Sequence, residues 1–348
     1  MSVIALRDWA ASFLPNVVLP KAELSLSALS GDAGFRQYFR TGTEPALMAV
    51  SAPPEHENTP AFVSKALLMR EYGIRVPEVY AVNYQQGFML LEDLGDTLLL
   101  SRLGNSKASD ALYASAENAL LELQAMPADR DVFADYSAVL LHREMALFPE
   151  WFVGGLLELQ PTVADRSMLK RVFDTLVTNA VEQPQVVVHR DYHSRNLMLM
   201  PDNRIAMIDF QDAVIGPLTY DLVSLLRDCY IRLPANEVRH RALNFARQSG
   251  VLADVSESRF IRWFDLMGLQ RHLKVLGIFA RLSLRDGKPQ YLRDLPLVIR
   301  YTLEQAKPYP EMAEFVSWFE TAILAVLESG QYAWYQPWQT AGDRAGEQ

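Results

Sequence analysis

The sequence predicts an α+β protein in two lobes, a small N-terminal lobe on an antiparallel sheet and a larger, mainly α-helical C-terminal lobe. Three observations predict it. The first 92 residues alternate short apolar runs with turn residues in the order strand, strand, strand, helix, strand, strand. Beyond them apolar residues recur at helical spacing through most of the chain. That helical pattern is interrupted around residues 188–210, where a strand, turn, strand pattern takes over. At 348 residues the chain is long enough for two lobes.

The elements follow in order. Residues 1–13 pattern as a short amphipathic helix. Residues 24–30, 35–40 and 46–50 read as three strands, the first two joined by a tight turn at Gly31-Asp32-Ala33-Gly34. A helix over 60–72 opens after Thr59, with Pro60 at its first position and Gly73 just past its end. Residues 79–82 and 88–91 form a second hairpin through 83–87. Glu92-Asp93-Leu94-Gly95-Asp96 then breaks the pattern with acidic residues and Gly. A hinge is expected at 93–96, dividing residues 1–92 from residues 97–348. Helices are expected over 108–123 and 151–180, and again over 218–230, 235–249, 258–284 and 296–327.

Composition excludes several classes. Lys and Arg number 33 against 42 Asp and Glu, a net charge of −9, which argues against a nucleic-acid or anionic-membrane surface. Cys229 is the single cysteine, so no intrachain disulfide exists, and a small buried core residue is expected there. Arg7 and Asp8 fall inside what would be the apolar region of a signal peptide, and no apolar run reaches the length of a membrane span. A cytoplasmic protein is expected.

The densest chemistry lies in Val188-His189-Arg190-Asp191-Tyr192-His193-Ser194-Arg195-Asn196, followed 13 residues later by Asp209 within Ile208-Asp209-Phe210. An Asp, an Asn five positions on, and a second Asp ending an apolar strand are the minimum apparatus of phosphoryl transfer. Asp191 would orient or deprotonate an acceptor hydroxyl, while Asn196 and Asp209 hold Mg²⁺ on the phosphates of ATP. The strand, turn, strand pattern over 197–210 would return Asp209 to face Asn196. His189 reads as a core histidine bonded to backbone. A metal-dependent hydrolase using His189, Asp191 and His193 would need further ligands, and with six His in the chain no second His cluster supplies them.

No Walker A sequence exists, which excludes a P-loop fold. The Gly31 to Gly34 turn is a candidate phosphate cover, with Gly34, Phe35 and Arg36 at its exit. Arg36 and Arg40 either reach phosphate oxygens or are solvated strand charges. The backbone of Glu92, Asp93 and Leu94 is placed to meet an adenine edge. The third strand, Ala46-Leu47-Met48-Ala49-Val50-Ser51, lacks the lysine that in kinases contacts the α and β phosphates. Lys65 on the following helix and Arg36 are the candidate replacements, although a solvated helix lysine is the favoured reading of Lys65.

His189-Arg190-Asp191-x4-Asn196 with Ile208-Asp209-Phe210 and Tyr220-Asp221-Leu222 resembles the aminoglycoside phosphotransferase and choline kinase superfamily. The resemblance implies a protein-kinase-like fold that uses ATP and Mg²⁺, with Asp191 as base, Asn196 and Asp209 as metal ligands, and Asp221 as a structural carboxylate, an N-cap that braces the catalytic loop. Four segments resemble, more narrowly, the anomeric sugar kinases of bacterial cell-wall recycling. These are Phe35-Arg36-Gln37-Tyr38-Phe39-Arg40, Leu90-Leu91-Glu92-Asp93-Leu94-Gly95-Asp96, Gln211-Asp212-Ala213 with Gly216-Pro217, and Gln270-Arg271-His272-Leu273-Lys274-Val275-Leu276-Gly277. That likeness implies an amino sugar phosphorylated on its C1 hydroxyl. Arg195 and Asp212 are then candidates for sugar hydroxyls. Arg227, Arg271, His272 and Lys274 are candidates for the lactyl carboxylate of N-acetylmuramate, or else form a solvated basic face. Kinases of aminoglycosides, choline or homoserine on the same fold, and a nucleotide-binding pseudokinase, are the alternatives.

Overall fold

Residues 3–14, 24–29, 35–104 and 106–342 are described by the computed structural model, and they fall into two units, 1–133 with 195–213, and 134–194 with 214–348. The expected turn at Gly31 to Gly34, and with it Gly34, lies outside the described residues. In chain order the strands are β1 (Ser27–Ala28), β2 (Gln37–Arg40), β3 (Leu47–Ser51), β4 (Val79–Asn83), β5 (Phe88–Glu92), β6 (Gln185–Val188), β7 (Leu197–Leu199), β8 (Ile205–Met207) and β9 (Val214–Pro217). The helices that matter below are α1 (Val3–Phe13), α2 (Thr59–Glu71), α3 (Ser106–Gln124), α4 (Ala138–Met145), α5 (Val163–Val181), α6 (Tyr220–Leu226), α7 (Ala235–Gln248), α8 (Glu257–Leu284) and α9 (Leu295–Ala306).

The first unit holds an antiparallel sheet in the order β1-β2-β3-β5-β4. All five residues of β3 are buried, as a central strand packed on both faces requires. Leu6 and Ala10 of α1 close one face against Phe39, Leu47, Ala49, Phe88 and Leu90. Among the described residues of the expected first strand, Ser27 and Ala28 pair with Arg40 and Phe39, and the Leu29 N–H donates to the Tyr38 carbonyl at 2.9 Å. Helix α2 begins one residue earlier than expected. Its cap is Asn58, whose side chain accepts the Ala61 N–H at 3.1 Å, so Thr59 is already helical. The β7–β8 hairpin also belongs here, pairing Leu197 with Met207, and the Leu199 N–H donates to the Thr97 carbonyl at 2.8 Å.

The second unit is mainly helical, around α8. Its one antiparallel pair in the strand set, β6 with β9, runs Gln185 opposite Pro217 to Val188 opposite Val214. These strands and α4 were not expected from sequence. The helix expected over 151–180 divides into a π-helical stretch, Phe148–Leu156, and α5, which restarts behind Pro161 with a Thr162–Asp165 capping box. The one expected over 296–327 breaks after α9 at Pro308 and Pro310, whose missing N–H groups cannot continue a helix, and helical structure resumes over 313–327. Every residue from Leu266 to Leu276 of α8 is buried, so this helix is enclosed on all sides. At Gly277 it meets the backbone just after α4, where an added Cβ would lie 2.4 Å from the Leu147 carbonyl carbon. No helix among the described residues is long and apolar enough to cross a membrane.

Candidate active site

The loop after β6 is held at both ends by buried carboxylates. Asp221, in the first turn of α6, accepts the N–H groups of His189 at 2.6 Å and Arg190 at 3.0 Å. Asp228, just past that helix, accepts the Ser194 N–H at 2.9 Å and its hydroxyl at 2.5 Å. Asp221 therefore braces the loop, but it is not the N-cap expected from sequence: Thr219 holds that position, and Asp221 lies inside the helix with its carboxylate committed to the loop. Burial pushes Asp221 up to about 7, against the pull of its two N–H donors. Arg190 takes a left-handed conformation, φ 76°, rare for a residue with a side chain. His189 is fully buried, and its Nδ1 accepts the Asp191 N–H at 3.3 Å.

Asp191 is partly exposed at the centre of this loop. Burial would raise its pKa, but the electrostatic pull of Lys274, with His193 and Arg190 beside it, outweighs burial and holds the carboxyl below its ordinary value. Asp191 is thus ionised at neutral pH, the state required to accept a proton. The charge around it is organised by Glu144 of α4, a residue with no sequence signal. Buried Glu144 accepts from the Tyr136 hydroxyl and from Arg190, and meets the Lys274 ammonium at 3.2 Å. Lys274 also donates to the Tyr220 hydroxyl at 3.1 Å.

The first unit carries Asn196 and Asp209. The Ile208 N–H donates to the Asn196 carbonyl at 3.0 Å, so the hairpin sets Asn196 opposite Ile208, the residue before Asp209. Asp209 is exposed and left-handed, φ 64°, a conformation Asp tolerates better than most residues at a cost of about 1–3 kcal/mol. Both side chains offer hard oxygen donors. That set suits Mg²⁺, which commonly takes one or two protein ligands and completes its shell with phosphates and water.

Arg36 is not a solvated strand charge. Its guanidinium meets Glu57 at 2.9 Å and donates to Gln211 Oε1 at 2.7 Å, 5.0 Å above the Phe62 ring. Lys65 is not solvated either: it is 8% exposed, and its ammonium donates to the carbonyls of Gln211 at 2.5 Å and Ala213 at 2.9 Å. Arg40 is engaged by Asp93 at 2.7 Å and Asp96 at 2.6 Å. Phe35 is exposed and stacks on His56 with centroids 4.0 Å apart. The Glu92 side chain pairs with Arg75, its N–H donates to the Glu78 carbonyl at 2.9 Å, and the Asp93 N–H donates to the Ala46 carbonyl at 3.1 Å. Those two N–H groups are spent on the sheet, which removes them from the adenine contact expected over Glu92, Asp93 and Leu94.

The basic residues of α8 do not form a solvated face, since Arg271, His272 and Lys274 are all buried. Arg195 is partly exposed and Asp212 exposed. Arg227 is paired with Asp265 at 2.6 Å over the Phe264 ring. Among the described residues the one hydrogen bond of Arg271 is to Cys229 Sγ, 3.5 Å away, a weak acceptor. Cys229 is buried there, its thiol pushed up to about 11 by burial. His272 has both ring nitrogens engaged within the fold, one meeting Gln305 Oε1 at 3.1 Å and the other the Arg227 carbonyl at 3.1 Å.

Burial takes His272 down to about 3 from an ordinary 6.5, so it is neutral in the folded chain. The unfolded chain takes up this proton as pH falls through 6.5 while the folded chain refuses it until about 3. Stability therefore falls on acidification across that window, by up to about 1.4 kcal/mol per pH unit. Urea unfolding of wild type and His272→Gln from pH 4 to pH 7 should show a shallower slope in the variant. Equal slopes would mean that His272 is charged in the fold.

Residues 25–255 match the phosphotransferase enzyme family. The chain is 41% identical to an N-acetylmuramate/N-acetylglucosamine kinase of Pseudomonas aeruginosa, over 94% of this chain and 97% of that one. It is also 41% identical to the protein of the same name from Pseudomonas putida, over 89% and 90% of the two chains. Among solved structures, an ethanolamine kinase of Plasmodium vivax superposes with a TM-score of 0.64 at 12% identity, covering 86% of this chain and 87% of that one. A likeness at that identity is one of fold, the protein-kinase-like α+β fold. On the family match and the identity across most of its length, this chain belongs to the phosphotransferase enzyme family and is an enzyme that phosphorylates a hydroxyl group.

Proposed function

We propose that the enzyme transfers the γ-phosphoryl group of ATP to the C1 hydroxyl of N-acetylmuramate and N-acetylglucosamine, a step of cell-wall recycling. The observation that carries this reading is 41% identity across 94% of the chain to a kinase named for those two sugars. The chemistry agrees with it. An anomeric hydroxyl is more acidic than an ordinary alcohol, so an ionised carboxylate with no raised pKa is base enough. Asp191 accepts the C1 proton, and Asn196 with Asp209 would hold Mg²⁺, which supplies charge neutralisation on the phosphates. Arg36, the cation just before β2 paired with Glu57, stands in for the absent third-strand lysine toward the phosphates. Gly34 and Phe35 complete the phosphate cover, while Leu94 and the carbonyls of Glu92 and Asp93 meet the adenine edge. Residues 93–96 serve as the hinge between a nucleotide cover, 1–92, and the rest of the chain. Use of ATP places the reaction in the cytoplasm.

Arg195 and Asp212 meet sugar hydroxyls. Of the α8 cations, Arg271 is the best reader of the lactyl carboxylate, because Lys274 is already balanced by Glu144 and His272 is neutral. The identity of the product tests the whole reading. Incubation with ATP should convert both sugars to glycosyl phosphates, with the reducing end lost in step with ADP release and phosphorus coupled to the anomeric proton in the NMR spectrum. The 1-deoxy sugars should be inert. Arg271→Leu should lower kcat/KM for N-acetylmuramate roughly ten- to a hundredfold more than for N-acetylglucosamine, the scale of one charge-assisted hydrogen bond. Phosphorylation of a 1-deoxy sugar, or turnover of choline or an aminoglycoside alone, would overturn the assignment.

A further inference from the structure

The third strand has no lysine, yet a lysine is buried one element later, on α2, in contact with the segment that follows Asp209. Its ammonium spans two carbonyls, Gln211 at 2.5 Å and Ala213 at 2.9 Å, either end of the turn that leaves Asp209. The same turn is gripped from its side chains. Gln211 Nε2 donates to Asp209 Oδ1 at 2.6 Å, and Gln211 Oε1 accepts from Arg36, which Glu57 holds in turn. Phe62, one turn before Lys65 on α2, stacks on Phe210 with centroids 4.8 Å apart.

Resting on the metal-dependent reading above, we propose that Lys65 and Gln211 are positioning residues that set the Asp209 carboxylate for its cation. Lys65 fixes the backbone of the turn, and Gln211 fixes one carboxylate oxygen through its amide. The cation that a kinase strand would direct at phosphate has thus two successors with separate tasks. Arg36 keeps a charge at the entry to β2, and Lys65 grips backbone carbonyls. An ammonium held by two carbonyls at these distances, and 8% exposed, is not placed to be a phosphate anchor. The left-handed φ of 64° at Asp209 makes this support necessary, because the unrestrained residue would relax toward its commoner conformations and swing the carboxylate away.

The test needs no sugar. Mn²⁺ binding to the protein in the presence of ADP is followed by electron paramagnetic resonance, and ADP binding alone is measured in EDTA, for wild type, Lys65→Met, Gln211→Leu and Asp209→Asn. Lys65→Met and Gln211→Leu are each expected to lose about 10- to 100-fold in Mn²⁺ affinity, the usual cost of removing a support behind a metal ligand. Metal-free ADP affinity should stay within about twofold of wild type, given that neither residue is a phosphate contact on this view. Wild-type Mn²⁺ affinity in both variants would overturn the proposal, as would an equal loss of metal-free ADP binding, which would make Lys65 a nucleotide ligand. Should Lys65→Met fail to fold, Gln211→Leu decides alone: it leaves the lysine in place and cuts the amide's links to Asp209 and Arg36, and the metal-free ADP measurement separates the two, since only the second bears on the phosphates. Failure of wild type itself to bind Mn²⁺ with ADP would instead bring down the metal-dependent reading.

Discussion

Asp191→Asn should lower kcat by roughly 10²–10⁴-fold, the scale of losing a positioned acid–base group, with little change in nucleotide affinity. The amide keeps the shape of the side chain and the backbone bond to His189 Nδ1, so the loop should persist. What disappears is the negative charge. In wild type, burial opposes that charge and Lys274, His193 and Arg190 sustain it, so the carboxylate is ready at neutral pH without a proton having to leave first. Single-turnover rates and ADP binding on the same preparation separate the two effects. Near wild-type turnover would remove Asp191 from the mechanism.

Asp209→Ala should abolish turnover at every practical Mg²⁺ concentration, since a charged ligand is lost while the phosphates still need neutralising. Alanine also disfavours the left-handed backbone at this position, φ 64°, whereas asparagine tolerates it. Asp209→Asn therefore separates the charge from the backbone and should be nearly as inactive. Asn196→Ala, which removes a neutral donor, should be milder and partly rescued by added Mg²⁺. Initial rates across a Mg²⁺ series decide it: an unaltered metal dependence in either Asp209 variant would mean that this carboxylate is not a ligand.

Much of this was legible in the sequence because it is local. The β7–β8 hairpin, its turn at 201–203 and the segment from Asp191 to Asp209 follow from apolar alternation and turn residues within some twenty positions. Strand β6 was missed because three valines in a row match a buried strand and a helix end equally well, and its partner β9 lies across an intervening hairpin. The longest expected helices were overextended through Pro161 and Pro308, where apolar spacing continues although the backbone cannot. The candidate site divides in the same way. Asp191, Asn196, Asp209 and Asp221 stand in a recognisable string, but Glu144, Asp228 and the contacts of Lys65 do not. They act on the site over sequence separations of 34 to 148 residues, and no spacing rule reaches that far. The α8 cations show the converse error: their spacing reads as a solvated face, yet the helix is wrapped by its neighbours and each charge is neutralised, suppressed or held inside.

Gly277 gives this unit a sensitivity that has nothing to do with chemistry. Lys274 and Glu144, 3.2 Å apart, each lie three residues before one side of the close approach, Gly277 on α8 and Leu147 beyond α4. A hydrogen atom at position 277 is therefore the spacer that sets the gauge between the two segments. Any larger group there would wedge them apart, lengthen the ammonium–carboxylate contact first, and leave Arg190 and the loop of Asp191 in an altered electric field. A methyl group that touches neither reactant could in this way detune the proton acceptor.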